Sequence, residues 1–282
     1  MVAFLKMHGA GNDFAVFDAR AEPLALDART AAAIADRKRG VGCDQVIVIE
    51  PGAAGRADAF MRIYNADGGD VESCGNATRC VARLLFAETN STQARIDTRG
   101  GLLECSDAGN GRVTVDMGTP NFDWREIPMA QAVDTASFAL EVAGFNEPAL
   151  AEAAALSMGN PHCVLFVADA ARAPVTELGP LVEHHPWFPA RTNTGFAEVQ
   201  GPRAIRLRVW ERGTGETLAC GTGACAAAVA AAARGLTERT VDVTLAGGML
   251  TIEWRDDGHV LMTGPTALAY VGDVDIDALV RA

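Results

Sequence analysis

Two Cys-Gly pairs, Cys74-Gly75 and Cys220-Gly221, carry the side chains of this sequence that are best suited to chemistry. They lie 146 positions apart (220 − 74) in a chain of 282 residues. A cysteine at a helix start lies among backbone N–H groups without an intrahelical acceptor and at the positive end of the helix dipole. We therefore expect such a thiol to have a pKa lowered toward neutrality and to react as a thiolate. The following glycine leaves room for a ligand carboxylate at the same helix start.

Other short motifs recur at nearly the same offset, so the two cysteines belong to a repeat. The matched pairs are Arg62-Ile63-Tyr64 with Arg208-Val209-Trp210, Gly69-Asp70 with Gly215-Glu216, and Gly11-Asn12 with Gly159-Asn160. A period of about half the chain indicates two copies of one domain, since solenoid repeats have periods of about 20–50 residues.

One thiol in each copy predicts inversion of a stereocentre. Removing a proton from one face of a carbon and returning one to the opposite face requires a base and an acid on opposite sides. Two copies related by a pseudo-twofold would present one thiol to each face. The two thiols would exchange roles when the reaction runs backwards.

The elements around each cysteine follow from the hydrophobic pattern. Alternation predicts strands over 60–64 and 204–210, each leading into a glycine-containing loop and then the Cys-Gly pair. Apolar residues at helical spacing follow Gly75, and the run 224–233 has no polar face, so that helix must be buried. The predicted class is α+β, with two pseudo-symmetric domains, each a mixed or antiparallel sheet or barrel wrapped round a central buried helix.

The predicted domains are an N-terminal half over 1–120 carrying Cys74 and a C-terminal half over 121–266 carrying Cys220. The boundary lies in a segment without periodicity, roughly 121–131. We expect a terminal helix over 275–281, so that 267–282 joins the first half.

Composition excludes several classes of function. The chain is 49% hydrophobic and 21% charged, as in ordinary globular proteins, and its formal net charge is −12. That charge disfavours binding to nucleic acid or to a membrane surface, so the expected partner is a small molecule. The first 20 residues lack the apolar core of a signal peptide, and seven scattered cysteines are typical of reduced thiols, so we expect a cytoplasmic protein.

The cysteines also have structural interpretations. Cys43, Cys80, Cys105, Cys163 and Cys225 are predicted to be core residues, because buried cysteines are mostly inert. A metal site built from Cys74, Cys80, Cys220 and Cys225 would have inner spacings of five and four residues instead of the two typical of zinc. We therefore expect no metal.

Longer motifs resemble the signatures of the diaminopimelate epimerase family, over essentially the whole chain. They are Ala66-Asp67-Gly68, the stretch from Ser73 to Cys80, Gly159-Asn160-Pro161-His162, Arg191-Thr192-Asn193, and the stretch from Glu211 to Gly223. The resemblance implies an epimerase that works without pyridoxal phosphate or another cofactor and converts LL-2,6-diaminopimelate to the meso form, for lysine and peptidoglycan synthesis. It also implies a homodimer.

The resemblance assigns roles to particular residues. Cys74 and Cys220 would be the base and the acid, and His162 and Glu211 would tune their pKa values. The substrate contacts would be Asn12, Gln45, Asn65, Gly75, Asn76, Asn160, Asn193, Glu211, Arg212, Gly221 and Thr222. The Arg212 fork and the helix starts suit carboxylates, and Glu211 with the amide oxygens suits ammonium groups. Arg79 is predicted to lie on a solvated helix face.

Three alternatives remain at this level. A proline or hydroxyproline racemase shares the duplicated architecture and the paired cysteines, but proline has no second amino-acid end for Glu211-Arg212 to bind. A thiol redox or metal-binding protein is a second alternative. A pyridoxal-phosphate racemase is the third, with only Lys6 and Lys38 as candidates for a Schiff base.

Overall fold

The computed structural model describes residues 1–145 and 148–281. Its strands are β1 (Val2–Gly9), β2 (Asn12–Asp18), β3 (Gln45–Pro51), β4 (Ala59–Asn65), β5 (Asp70–Val71), β6 (Gln93–Thr98), β7 (Gly101–Gly109), β8 (Arg112–Asp116), β9 (Ala154–Ser157), β10 (Pro161–Phe166), β11 (Asn193–Gly201), β12 (Ala204–Glu211), β13 (Gly215–Thr217), β14 (Thr240–Leu245), β15 (Gly248–Trp254), β16 (Val260–Pro265) and β17 (Ala267–Val274). Its α-helices are α1 (Ala28–Ala35), α2 (Gly75–Thr89), α3 (Val175–Glu183), α4 (Gly221–Ala233) and α5 (Ile276–Arg281), and a 3₁₀ helix covers Pro148–Glu152.

The chain divides into two compact units. The first comprises Met1–Asp116 and Thr263–Ala282, and the second comprises Met117–Met262. The boundaries predicted from the sequence lie after residues 120 and 266. Helix α5 contributes Ile276 and Leu279 to the core around α1 in the first unit.

Strand pairing within the first unit follows the order β17-β1-β2-β3-β4-β6-β7-β8, with β5 also paired to β4. Pairs β2–β3 and β4–β6 are parallel and the others antiparallel. Helix α2 packs against β1, β6, β7 and β8.

The second unit repeats this order of elements. Its strands pair as β9-β10-β11-β12-β14-β15, with β13 on β12, and pairs β10–β11 and β12–β14 are parallel. Each parallel pair matches one in the first unit, as does the strand hairpin before each long helix. The repeat extends to backbone angles, because Gly11 and Gly159 take φ values of 87° and 86°. Both turns need glycine, since a side chain is strained in this region.

Both central helices are buried, as the sequence predicts. Ten residues of α2 are buried, from Gly75 to Phe86, and α4 is buried from Gly223 to Ala231. Alanine fills most of α4, which packs against β9, β10, β11, β12, β14 and β15. The predicted α+β class, with a sheet around a buried helix in each half, is confirmed by this structure. No helix of the described residues has the length and apolar character required to cross a membrane.

Candidate active site

Cys74 is the N-cap residue of α2. Its backbone is extended (φ −147°, ψ 105°), and its carbonyl oxygen accepts the first helical hydrogen bond, from Thr78 N at 2.9 Å. The Thr78 hydroxyl donates to the same carbonyl at 2.8 Å. The thiol is half-buried, and its Sγ lies 3.9 Å from the amide oxygen of Asn12. The predicted position of this thiol at a helix start is confirmed.

A network of charged side chains lies behind Asn12. The Asn12 amide nitrogen donates to Asp44 at 2.8 Å, and the backbone N–H of Asp13 donates to the same carboxylate oxygen at 3.1 Å. Lys6 and Arg37 pair with Asp13 at 2.5 and 2.7 Å. Burial raises the pKa of Asp13, but the hydrogen bonds from Arg37 and Lys6 outweigh it and hold that pKa well below its ordinary value.

Gln45 and Asn65 form a pair across β3 and β4. The Gln45 amide nitrogen donates to the Asn65 oxygen at 3.0 Å. The Gln45 Oε1 atom is buried and has no hydrogen-bond partner among residues 1–145 and 148–281. A buried amide oxygen without a partner costs free energy, and a ligand ammonium group would satisfy it.

Asn76, at the second position of α2, is almost fully buried, and its oxygen accepts from Arg79 Nη2 at 2.9 Å. The prediction that Arg79 is solvated is wrong, because its side chain is fully buried. The error arises because every residue from Gly75 to Ala82 is buried, so the first two turns of α2 have no solvated face, and exposure begins only at Arg83. Arg79 instead stabilises the first turn of α2 through its hydrogen bond to Asn76.

Cys220 is the N-cap residue of α4, with the same extended backbone (φ −124°, ψ 108°). Its side chain is only 5% exposed, and its Sγ lies 3.7 Å from the Thr222 hydroxyl. The backbone N–H of Gly223 also donates to the sulfur. A Cβ at position 223 would lie 3.2 Å from the same sulfur, so glycine there keeps the thiol in place.

The expectation of a lowered pKa is wrong for Cys220. Burial, then the negative charge of Glu211, raises the pKa of this thiol well above its ordinary value, while Thr222 and Gly223 act in the opposite direction. Removing the sulfur from water disfavours the thiolate more than the helix start stabilises it. Glu211 also accepts a hydrogen bond from the thiol and one from the Thr217 hydroxyl. The raised pKa therefore favours the protonated thiol of Cys220, which lies next to the Glu211 carboxylate.

His162 lies beside this site and is neutral. Its Nε2 lies 2.9 Å from the Asn160 oxygen, and the Asn160 nitrogen donates to Thr222 at 3.4 Å. Burial, followed by the positive charge of Arg212, lowers the pKa of His162 to about 3. A hydrogen-bonded series thus runs from His162 through Asn160 and Thr222 to Cys220.

Asn193 joins two segments of the second unit. Its nitrogen donates to Pro161 O at 2.9 Å, and its oxygen accepts from Arg212 N at 3.0 Å. The Arg212 side chain is exposed and donates to Ala190 O at 3.2 Å. Gly221 forms the first residue of α4, as Gly75 does of α2.

Glu183, at the end of α3, holds the end of β12, which carries Glu211, and the loop after it, which carries Arg212. Its carboxylate is almost fully buried and accepts from Trp210 Nε1 at 2.7 Å and Gly213 N at 2.9 Å. Sequence reasoning missed this residue, as it missed Asp44 and Thr217. Asp44 directly precedes Gln45 and Thr217 lies within the motif from Glu211 to Gly223, so both had a signal, whereas Glu183 had none.

The structure gives little support to the metal-binding, thiol redox and pyridoxal-phosphate alternatives. Among residues 1–145 and 148–281, no cluster of three or more His, Cys, Asp or Glu side chains has a geometry that could hold a metal ion. Burial raises the pKa of Cys43 to about 11 and that of Cys80, Cys105 and Cys163 to about 12. The Lys6 amine is engaged with Asp13 and the Gly42 carbonyl.

The model of the diaminopimelate epimerase family matches residues 4–123 and 154–269. The diaminopimelate epimerase of Acidiphilium cryptum is 54% identical over 274 residues, which cover 96% of each chain. That of Rhodospirillum centenum is 52% identical over 271 residues, covering 96% of this chain and 91% of the relative.

Solved structures with low sequence identity share the fold. A hydroxyproline epimerase from Agrobacterium vitis, with bound trans-4-hydroxy-L-proline, superimposes with a TM-score of 0.66 at 18% identity, over 96% of this chain and 91% of that one. A phenazine biosynthesis protein of the PhzF family from Enterococcus faecalis gives 0.64 at 13% identity, over 97% and 99%.

Proposed function

Because this chain belongs to the diaminopimelate epimerase family, we propose that it interconverts LL- and meso-2,6-diaminopimelate with Cys74 and Cys220 as the acid–base pair. The observation that carries the proposal is the equivalent cysteine at the N-cap of the central helix in each unit. One sulfur, as thiolate, takes the α-proton from one face of the carbon. The other, as thiol, gives its proton to the opposite face. The S–H bond formed on one side matches the S–H bond broken on the other, so no cofactor is required.

The state of Cys220 suits the role of proton donor. A thiol with a raised pKa keeps its proton until a stronger base, the α-carbanion, forms beside it. After transfer, Thr222 and Gly223 donate hydrogen bonds to the new thiolate. In the reverse direction Glu211 makes the Cys220 thiolate a stronger base.

We assign substrate-binding roles by matching the polar groups of the protein to the carboxylate and ammonium groups of the substrate. The helix starts at Gly75 and Gly221 offer N–H groups to a carboxylate, and Arg212 offers a guanidinium fork to the second carboxylate. Asn12, Gln45, Asn65, Asn76, Asn160, Asn193 and Thr222 supply amide and hydroxyl groups for the remaining polar atoms. The orphaned Gln45 oxygen is the best acceptor among them for an ammonium group.

A substrate assay tests this function against its nearest rival. LL-diaminopimelate should be converted to the meso form, and L-proline and trans-4-hydroxy-L-proline should be left unchanged by the same preparation. Glu211-Arg212 favours this outcome, because a single amino-acid end offers Arg212 no second carboxylate. Turnover of a proline isomer without turnover of diaminopimelate would contradict the proposal.

We further propose a homodimer formed through β17. Leu268, Tyr270 and Val271 are 49%, 49% and 65% exposed. Successive side chains of a strand point to opposite faces, so exposure of both Tyr270 and Val271 leaves both faces of β17 uncovered in one chain. A second copy would cover them symmetrically, as in most closed oligomers. Sedimentation velocity should give a dimer for the unmodified protein and a monomer for Val271→Lys; a monomer in both cases would contradict this.

We also propose that the enzyme works in the cytoplasm. Its mechanism requires two cysteines that stay reduced, and the cytosol keeps thiols reduced. Cell fractionation followed by immunodetection tests this location, and recovery outside the cytosolic fraction would contradict it.

A further inference from the structure

The side-chain amide of Asn12 lies between a carboxylate and a thiol. Its nitrogen donates to Asp44 Oδ2 at 2.8 Å, and its oxygen lies 3.9 Å from Cys74 Sγ. An ionised carboxylate can only accept hydrogen bonds. The Asn12 nitrogen must therefore face Asp44, which leaves the oxygen facing the sulfur.

Asp44 is itself held in place by several groups. Its Oδ1 pairs with Arg37 at 2.6 Å, and its Oδ2 accepts from Asp13 N at 3.1 Å. Its own backbone N–H donates to Asp13 at 3.0 Å. The carboxylate is therefore a fixed acceptor whose charge is largely offset by Arg37.

The matching asparagine of the second unit is held the opposite way. The oxygen of Asn160 faces His162, and its nitrogen faces Thr222, which contacts the Cys220 sulfur. Position 192, which corresponds to Asp44 at an offset of 148 (192 − 44), is a buried threonine. Asn12 thus presents its oxygen to its cysteine, whereas Asn160 presents its nitrogen to the threonine that contacts Cys220.

We propose that Asp44 is a positioning residue that fixes the Asn12 amide so that its oxygen, and not its nitrogen, faces the Cys74 thiol. A carbonyl oxygen accepts a hydrogen bond from a thiol and gives none to a thiolate, so this orientation favours the protonated form of Cys74. Its use in catalysis rests on the proposed function, but the orientation does not.

Alkylation of Cys74 tests the orientation without any substrate. The rate of modification by iodoacetamide at one pH is followed by mass spectrometry of the peptide that contains Cys74. In Asp44→Ala the amide is free to turn its N–H groups to the sulfur and stabilise the thiolate, so the rate should rise about fivefold. In an Asn12→Ala background the same substitution should change the rate by less than about twofold, because the two residues act as a unit.

Asp44→Asn separates orientation from charge. It removes the negative charge but keeps one acceptor oxygen, and the exposed Arg37 can release that oxygen to Asn12. Its alkylation rate should therefore match that of the unmodified protein. A rate like that of Asp44→Ala would show a charge effect and overturn the proposal, as would an unchanged rate in Asp44→Ala or an equal increase in the Asn12→Ala background.

Glu50→Gln is the matched control, since Glu50 is another arginine-paired carboxylate of the first unit, 2.8 Å from Arg62. It should leave the rate unchanged, and an increase equal to that of Asp44→Ala would overturn the proposal. If Asp44→Ala does not fold, as judged by circular dichroism, NMR of the unmodified protein still decides. The Asn12 side-chain amide, identified by its loss in Asn12→Ala, should have one proton shifted downfield by the carboxylate, and two protons at solvent-exposed shifts would contradict the assignment.

Discussion

Cys74 and Cys220 occupy equivalent backbone positions but have different surroundings. Cys74 is half-buried beside a neutral amide, whereas Cys220 is almost fully buried beside Glu211. The counterparts of Glu211 and His162 in the first unit are Asn65 and Phe14 (211 − 146 and 162 − 148), neither of which carries a charge. The first unit therefore has no counterpart of the two ionisable groups that lie beside Cys220.

The positions of both thiols could be predicted from sequence, but the pKa of Cys220 could not. A helix start is visible as a Cys-Gly step after a strand and a loop. The depth of burial depends on strands far away in sequence, and here it outweighs the helix start. The same reason explains the wrong prediction for Arg79.

His162 provides a pH-dependent test at the residue scale. Its pKa in the folded protein, about 3, lies below the ordinary value of 6.5, so between these values the unfolded chain binds more protons. The contribution of neutral His162 to the free energy of unfolding is thus fully present above pH 6.5 and is lost as the pH falls toward 3. Relative to His162→Gln, the free energy of unfolding of the unmodified protein should fall by about 1.4 kcal/mol per pH unit in this window.

Denaturant unfolding at several pH values measures this slope. The control is His184→Gln, which replaces an exposed histidine. If the free energy of unfolding depends on pH in the same way in the unmodified protein and in His162→Gln between pH 4 and 6, His162 is not a buried neutral imidazole.

At the scale of elements, each thiol depends on one helix start and the hairpin before it. Period-two alternation predicted β4 and β12, and the apolar run predicted the enclosed α4. The sequence did not reveal what holds the loop after β12, because Glu183 lies about 30 residues upstream at the end of a different helix. A carboxylate at a helix end looks like a surface residue until the tertiary contacts are known.

Glu183→Gln should loosen this loop. Two donors, Trp210 Nε1 and Gly213 N, face the carboxylate, and a glutamine offers only one oxygen to them. The free energy of unfolding should fall by about 1–3 kcal/mol. Because Arg212 lies in the same loop, the KM for diaminopimelate should rise more than kcat falls.

The matched control is Glu216→Gln, which removes a carboxylate that pairs with Arg208 at 2.7 Å outside this contact. It should cost at most about 1 kcal/mol. Equal losses of stability in the two variants, or an unchanged KM in Glu183→Gln, would count against the bracing role of Glu183.

At the scale of the whole molecule, the duplication is the feature that the sequence predicts best. Matching motifs at an offset of about 146 residues correspond to matching strand orders, matching parallel pairs and matching helix caps in the two units. The two units share one order of elements, whereas the polar groups placed on those elements differ between them. Such a scaffold suits a reaction whose two proton transfers take place on opposite faces of one carbon, while only one end of the substrate reacts.

Solvent exchange tests the central claim most directly. LL-diaminopimelate is incubated in deuterated water with the unmodified protein, Cys74→Ala or Cys220→Ala, and both stereoisomers are analysed by mass spectrometry at the earliest turnover. With two thiols, the meso product should carry one deuterium at the inverted carbon while the LL pool stays almost unlabelled, because a proton taken by one sulfur is returned by that same sulfur. Either alanine substitution should abolish inversion. Continued inversion in either variant, or equal early labelling of both pools by the unmodified protein, would contradict the two-thiol mechanism.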